Sequence, residues 1–180
     1  MKRAIVGPAP MPVAARDELK RWLAISSANE DALLESLLRS SFDMCEAFTG
    51  AMVLVQTCEE FLPASTAWQT LSVRPVRSIA LAAAYPNEGS AQVLGSGDYE
   101  LDIDVNQIGR VRMLSQGSAR RLQIQYSAGL TSQWDQVPDG LRQGIIRLAA
   151  HHYRERDGAG DTPPASVAAL WRPWRRLRLA

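Results

Sequence analysis

The order in which the hydrophobic spacing changes along the chain is the feature that most constrains its fold. Apolar residues recur at helical spacing up to Gly50, a residue type that favours a helix end. From residue 51 the chain breaks into short segments rich in β-branched or aromatic residues, most of them separated by Gly, Pro, Asn or Ser. Helical spacing returns after Pro138. Strands that follow one another without a helix between them favour antiparallel pairing, so the sequence predicts an α+β fold.

The predicted architecture is a small helical bundle with an antiparallel β-sheet or sandwich inserted into it. Two helices precede the strands, one helix follows them, and an arm lies at each end of the chain. The predicted segments are a proline-rich N-terminal arm at 1–12, a main domain at 13–157 and a C-terminal linker and arm at 158–180. Within the main domain we predict helices at 14–23, 29–49 and 138–157 and a β region at 51–128.

Local signals refine these segments. Ser27 and Glu30 have the spacing of a capping box, in which a hydroxyl and a carboxylate bond the free amides at a helix start. The predicted strands include MVLVQTCEEF at 52–61 and TLSVRP at 70–75. Alternation of apolar and polar residues predicts one buried strand face, formed by Leu122, Ile124 and Tyr126.

Composition excludes several functional classes. The 180 residues are 46% hydrophobic and 22% charged with a formal net charge of +1, so the chain as a whole is not a polyanion binder. No apolar run approaches the roughly 20 residues that span a bilayer, and prolines interrupt the N-terminus where a signal peptide needs an apolar stretch. We therefore expect a soluble protein made in the cytosol. In that setting Cys45 and Cys58 are expected to be buried, reduced thiols.

Catalytic motifs are missing from the sequence. It contains no G-x-S-x-G nucleophile turn, and its glycine-rich stretches lack the lysine and the helix of a phosphate loop. His151 and His152 are adjacent on a predicted helix and point about 100° apart, so they cannot share one metal ion. His151 and Glu155 have a suitable spacing but no third ligand near them. We expect no enzyme, no cofactor and no metal site.

Four carboxylates occupy alternate positions of one predicted strand: Asp98, Glu100, Asp102 and Asp104. The period of two places all of them on one face, where like charges repel unless cations lie opposite. A loop of odd length places Arg110 across from Asp104, and the same register places Arg112 across from Asp102. The alternatives are a solvated hairpin face, an intersubunit or channel-lining surface, and a divalent-ion site, which is disfavoured because alternate strand positions diverge.

The C-terminal segment combines tryptophan and arginine, the residue types that are enriched in interface hot spots. Its candidate binding residues are Trp171, Arg172, Trp174, Arg175, Arg176, Leu177 and Arg178. Three interpretations are open: a tail that binds nucleic-acid phosphates, a peptide that docks in a groove of a partner protein, or a helix that folds onto its own core. Pro173 limits any helix in this segment.

Several phrases occur in an order that is typical of one family: Asp31 to Leu38 (DALLESLL), Glu46 to Gly50 (EAFTG), Gln56-Thr57, Arg74 to Ile79 (RPVRSI), Tyr126 to Gly129 (YSAG), and Val137 to Arg156. Together they resemble the head–tail connector (adaptor) family of tailed bacteriophages and gene transfer agents. The resemblance covers about residues 13 to 157. The chain departs from the family at Gly144, where alanine is more frequent, and at TPPASV, where the family has LPFGV.

The resemblance implies a structural part of a virion neck. Members of this family form a ring, usually of twelve subunits, beneath the portal protein; the ring extends the DNA channel and carries a stopper, tail-terminator or other neck protein. It implies no cofactor, DNA that passes without sequence-specific binding, and synthesis in the bacterial host cytoplasm. On this basis the C-terminal residues named above are assigned to portal binding and the acidic hairpin with Arg110 and Arg112 to the channel or to intersubunit contacts. The alternative is a DNA-binding module that uses the basic C-terminal tail.

Overall fold

The computed structural model describes residues 2–87, 90–155 and 162–175, and its architecture is the predicted mixture of helices and antiparallel sheets. The helices are α1 (Val13–Leu23), α2 (Asp31–Thr49), α3 (Asp139–Arg154) and α4 (Ala165–Trp171), with short 3-10 helices at Trp134–Gln136 and Arg172–Trp174. The strands are β1 (Lys2–Gly7), β2 (Gln56–Pro63), β3 (Gln69–Thr70), β4 (Val76–Pro86), β5 (Gln92–Val93), β6 (Tyr99–Ile103), β7 (Gly109–Met113) and β8 (Ala119–Ala128). No described helix is long and apolar enough to cross a bilayer.

The chain divides into two compact units, each made of two separate stretches of sequence. The β unit consists of Met1–Ala9 and Val55–Gly129, and the helical unit of Pro10–Leu54 and Leu130–Ala180. The β unit is thus an insertion between α2 and α3, joined by a strand from the N-terminus. This division differs from the predicted one, in which the N-terminal arm and the C-terminal arm were separate segments.

In the helical unit, each helix buries one stripe of side chains. The fully buried residues of α3 include Leu141, Ile145 and Leu148, which recur at helical spacing, and His152 in the same stripe is half-buried. The predicted end of α2 is also confirmed, because Gly50 adopts a left-handed conformation (φ 71°) and its N–H donates to the carbonyl of Glu46 at 2.7 Å. Such a cap satisfies one of the carbonyls that a helix end leaves free.

The predicted capping box at the start of α2 is wrong. The helix begins at Asp31, Glu30 precedes it, and no side chain caps the helix. The Glu30 carboxylate instead accepts a hydrogen bond from the Tyr153 hydroxyl at 2.9 Å. Glu30 is therefore used to join α3 to the start of α2, a tertiary contact that the local sequence spacing does not reveal.

The β unit contains a five-stranded sheet in the order β1-β2-β8-β4-β5 and a three-stranded sheet in the order β3-β7-β6. All named pairs are antiparallel. The central strand β8 confirms the predicted alternation, since three of its side chains have 0% exposure: Leu122, Ile124 and Tyr126.

Three segments differ from the predicted strands. Residues 2–7 of the predicted arm form β1, which pairs with β2. This edge strand is exposed, so it lacks the alternation that marks a half-buried strand. The segment 70–75 is strand only at Thr70. Met52–Leu54 belongs to the helical unit as buried connecting chain, and the Leu130 N–H donates to the Met52 carbonyl at 3.0 Å.

Candidate interaction surfaces

The acidic face predicted from sequence is one face of the β6–β7 hairpin, but its register differs from the predicted one. Arg112 lies opposite Glu100, and Arg110 lies opposite Asp102. The Arg112 guanidinium contacts the Glu100 carboxylate at 2.6 Å, and the Arg110 guanidinium lies 3.9 Å from the Asp102 carboxylate. The predicted cross-strand pairs, Arg110 with Asp104 and Arg112 with Asp102, are therefore wrong: each arginine lies opposite the carboxylate two residues earlier in the sequence.

The register shift follows from Asp104, which lies in the turn rather than in β6. Its Oδ1 accepts the backbone N–H groups of Asn106 at 2.8 Å and Ile108 at 3.0 Å. An aspartate that bonds the backbone ahead of it stabilises a turn, and this turn starts one pleat earlier than the simple alternation suggests. The Asp104 carboxylate also remains 3.8 Å from Arg110.

Asp98 has a comparable role just before β6, where its Oδ2 accepts the N–H of Gly95 at 2.8 Å. Two of the four carboxylates therefore belong to the strand and two to turns, and Glu100, Asp102 and Asp104 lie within 4 Å of two guanidinium groups. This hairpin surface keeps an excess of negative charge, which favours cationic partners and repels nucleic-acid phosphates. No group of three or more metal-ligating side chains occurs in the part of the chain that the structure describes.

The same surface carries an exposed aromatic residue. Trp68 is 43% exposed, and the Arg112 guanidinium lies 4.8 Å from the centre of its ring. Arg112 therefore contacts an indole and a carboxylate at once. Tryptophan and arginine in contact on a surface are typical of protein interfaces, and the sequence analysis did not single out Trp68.

The other side of β6 is apolar and incompletely covered. Leu101 and Ile103 are 40% and 41% exposed, and Val105 at the turn is 99% exposed. Their cross-strand neighbours on β7 include the fully buried Val111. Apolar side chains thus continue from the core of the β unit out to the edge of the three-stranded sheet.

Trp171, the first of the residues assigned to portal binding, is a core residue of the helical unit. It has 0% exposure, and its ring centre lies 5.9 Å from that of Phe48. Its Nε1 donates to the carbonyl of Leu141 at 3.4 Å. For this residue the structure corresponds to the third interpretation of the C-terminal segment, a helix folded onto its own core.

The neighbouring residues of this segment remain accessible. Trp174 is 37% exposed, and both Arg172 and Arg175 are exposed. The Arg175 guanidinium lies 5.3 Å from the centre of the Phe48 ring. Arg176, Leu177 and Arg178 lie outside the described residues. The part of the segment available to a partner therefore begins after Trp171.

The two histidines lie in the last turns of α3. His151 is 3.4 Å from the Glu155 carboxylate. His152 is half-buried, and burial together with the neighbouring His151 lowers its pKa, while Glu155 has the smaller opposite effect. An open pocket of about 390 Å³ near these residues is lined by Trp22, Arg147, His151, Arg154 and others. Residues of α1, α3 and the start of α4 line this pocket, so no single segment of the sequence indicates it.

Glu60 is a buried carboxylate that the sequence analysis also missed. It has 0% exposure, and its Oε2 accepts hydrogen bonds from the N–H and hydroxyl of Ser72 and from the Tyr126 hydroxyl, each at 3.0 Å. Burial and the nearby Glu60 charge raise the pKa of Tyr126. The arrangement ties the loop after β3 to the core. The sequence pattern that indicates this buried carboxylate is its position in β2, where Cys58, Glu60 and Leu62 alternate on the core-facing side.

The predicted state of the cysteines is confirmed, because Cys45 and Cys58 are both buried and neither forms a disulfide. Burial raises the pKa of the Cys45 thiol to about 12, so the thiolate needed for nucleophilic chemistry is not formed near neutral pH.

Comparisons with known proteins agree on one kind of particle. No protein-family model matches the sequence, and no curated protein is significantly similar to it. Solved structures do match. One is a chain in the neck of an empty gene transfer agent (GTA) particle computed with C6 symmetry, with 26% sequence identity and a TM-score of 0.80; the match covers 100% of this chain and 98% of that one.

Two further matches have the same coverage, 100% of this chain and 98% of the other. A chain in the virion of a native gene transfer agent particle is 28% identical with a TM-score of 0.76. A chain in the neck of a native GTA particle computed with C12 symmetry is 26% identical with a TM-score of 0.77. The resemblance read from the sequence is thereby confirmed: from end to end, the chain is similar to a neck protein of gene transfer agent particles.

Proposed function

We propose that the protein is a structural adaptor in the neck of a gene transfer agent or phage particle. In this role it forms a ring, of twelve subunits, beneath the portal protein. The observation that carries the proposal is the match to a neck chain over 100% of this chain and 98% of that one, because a fold shared through both units supports a shared structural role. The C6 and C12 symmetries of the matching necks support a cyclic arrangement of copies.

The ring extends the DNA channel, and it also carries the next neck or tail component. The acidic surface of the β6–β7 hairpin suits either the channel wall or a contact between subunits. A wall with excess carboxylates does not retain DNA, since phosphates and carboxylates repel. Sequence-specific DNA contacts have no role in this proposal.

The portal-binding part of the C-terminal segment consists of Arg172, Trp174, Arg175 and the residues that follow. Trp171 instead positions this part, because its indole anchors α4 on α3 through the Leu141 carbonyl. A partly exposed tryptophan flanked by two exposed arginines provides apolar area and charge for a groove on another protein.

Ring formation is tested by mixing the purified chain with portal rings of the same particle and measuring the mass of the products. We expect a complex that contains one closed ring of this chain per portal ring, visible by electron microscopy as a cyclic layer. A monomeric state of the chain on its own does not contradict the proposal, because a portal ring can act as the template for ring assembly. A chain that stays monomeric at every ratio to portal would refute the proposal.

The tail assignment needs point substitutions rather than truncation. Deleting residues 163–180 would remove the core residues Val167 and Trp171, so a loss of binding would not identify a contact. Combining Trp174→Ala with Arg175→Glu leaves the core intact and is expected to abolish co-sedimentation with portal rings. Trp22→Ala, which truncates another partly exposed tryptophan of the helical unit, is the matched control. Undiminished binding of the Trp174 variant would contradict the assignment.

A further inference from the structure

The described chain has four strands at sheet edges, and they are unequal in length. β3 and β5 have two residues each, whereas β1 has six and β6 has five. An edge strand presents unpaired backbone N–H and C=O groups, and proteins commonly keep such strands short or protect them. Each sheet of the β unit therefore has one short edge and one long edge that is able to pair with another strand.

Both long edges also expose apolar side chains. On β1, Ile5 is 37% and Val6 is 46% exposed. On and beside β6, three apolar residues are exposed: Leu101, Ile103 and Val105. Apolar residues on a long edge strand are a known liability for uncontrolled association, so their presence on both edges calls for a partner that covers them.

The two edges carry opposite charge. β1 begins with Lys2 and Arg3, two basic residues in succession, and contains no acidic residue. The β6–β7 hairpin sets the four carboxylates described above against two arginines and keeps negative charge in excess. A pairing of β6 with β6 would bring carboxylates together, whereas an antiparallel pairing of β1 with β1 would set its basic first residues opposite apolar ones. Only the mixed pairing sets opposite charges against each other.

We propose that β1 of one copy adds to the outer edge of β6 of the next copy, so that the five-stranded sheet of one subunit continues into the three-stranded sheet of its neighbour. This inference rests on the proposed ring. A cyclic assembly larger than a dimer needs two different, complementary surfaces on each subunit, and the two long edges meet that requirement. Backbone hydrogen bonds then give the contact its strength, and alternate side chains give its specificity.

The contact is tested by crosslinking between two single variants, Val6→Cys and Leu101→Cys, assembled together on portal rings. A short bismaleimide crosslinker tolerates either strand direction, and the native thiols Cys45 and Cys58 are buried. We expect covalent dimers in the mixture and none when either variant is assembled alone. Val93→Cys, on the short edge β5 and 67% exposed, replaces Leu101→Cys in a control mixture that should give no dimers.

A second measurement does not depend on crosslinking. Val6→Lys places a charge in the proposed contact and should lower the yield of complete rings roughly tenfold or more, whereas Val93→Lys should leave it unchanged. Circular dichroism of each variant verifies that the subunit is folded.

The outcomes separate the two proposals. If the wild-type chain forms rings, but the mixture of Val6→Cys and Leu101→Cys gives no crosslinked dimers and Val6→Lys has a normal yield, the edge pairing is overturned and the neck function stands. Failure of the wild-type chain to form any ring on the portal would overturn both. Dimers from one variant alone would also contradict the mixed pairing, because they would indicate contact between identical edges.

Discussion

His152 illustrates how one side chain couples the helical unit to pH. Its Nε2 is buried without a hydrogen-bond partner among the described residues, and its pKa lies below the ordinary 6.5 because burial disfavours the charged ring. The folded state therefore binds fewer protons at this site than the unfolded state. In that case stability is fully present above the unfolded pKa and decreases as pH falls through it towards the folded pKa.

We expect the helical unit to lose stability as the pH falls below about 6.5, and His152→Gln to lose less over the same range, since glutamine does not titrate. Urea unfolding followed by tryptophan fluorescence measures this, because four of the five tryptophans lie in the helical unit: Trp22, Trp134, Trp171 and Trp174. His151→Gln removes the second cause of the lowered pKa of His152 but not its burial, so it should reduce the pH dependence only in part. Equal pH dependence in wild type and His152→Gln would contradict the assignment.

Among helical elements, the crossing of α4 on α3 depends on a missing side chain. A Cβ built at Gly144 would lie 2.7 Å from Cε2 of the Trp171 indole, and closer still to its Nε1. Gly144 stands where the family that the sequence resembles more often has alanine, and the structure supplies a physical reason. The buried indole occupies the space that an alanine methyl group would need.

Gly144→Ala is expected to destabilise the helical unit by about 1–3 kcal/mol, as overpacking does, despite a gain of up to about 1 kcal/mol in helix propensity. Urea unfolding measures the difference. Gly140→Ala is the comparison on the same helix: its added Cβ would lie 3.2 Å from the Leu170 carbonyl, a tight approach without the overlap at Gly144, so a smaller loss is expected. A Gly144→Ala protein as stable as wild type would show that the indole moves aside at little cost.

Elements with their own periodicity were predictable from sequence, and elements defined by a distant partner were not. α2, α3 and β8 each repeat a buried stripe that local spacing reveals. β1 has no such stripe, because its place is set by pairing with β2 about 50 residues later. The same reason explains the hairpin: alternation placed Glu100 and Asp102 on one face, but only the turn bonds of Asp104 fix which arginine each one meets.

For the C-terminal segment, sequence identified the right residue types but not which of them are free. Trp171 and Trp174 are each followed by an arginine in the sequence, so their local sequence does not distinguish them. One is buried and the other is partly exposed: the Trp171 indole fills the space of a Cβ at Gly144, whereas Trp174 Nε1 lies 3.5 Å from the position of a Cβ at Gly140. Burial of this kind depends on two helices meeting, so it lies beyond what a single segment can indicate.

For the molecule as a whole, the charge distribution predicts weak interaction with DNA. The formal net charge is +1. The acidic hairpin and the exposed arginines of the C-terminal segment carry charges of opposite sign. We expect no retardation of duplex DNA in a gel at 0.15 M salt, and a measurable increase when Glu100→Gln and Asp102→Asn remove two carboxylates. Asp43→Asn with Asp135→Asn makes the same charge change on exposed residues of the helical unit.

If the hairpin surface is what repels phosphates, the control with Asp43→Asn and Asp135→Asn should retard DNA less than the hairpin variant with Glu100→Gln and Asp102→Asn. Equal effects would reduce the explanation to net charge alone. Tight binding by the wild-type chain that weakens steeply with salt would instead favour the DNA-binding alternative, because counterion release gives phosphate contacts that signature.

The insertion of the β unit between α2 and α3 has a consequence for synthesis on the ribosome. Every strand of that unit has emerged once Ala128 has left the exit tunnel, so its sheets can close while translation continues. The first two helices emerge much earlier, yet their apolar stripes have no α3 to pack against until later. The nascent chain can thus complete the β unit first, and helices α1 and α2, although made early, must wait for α3.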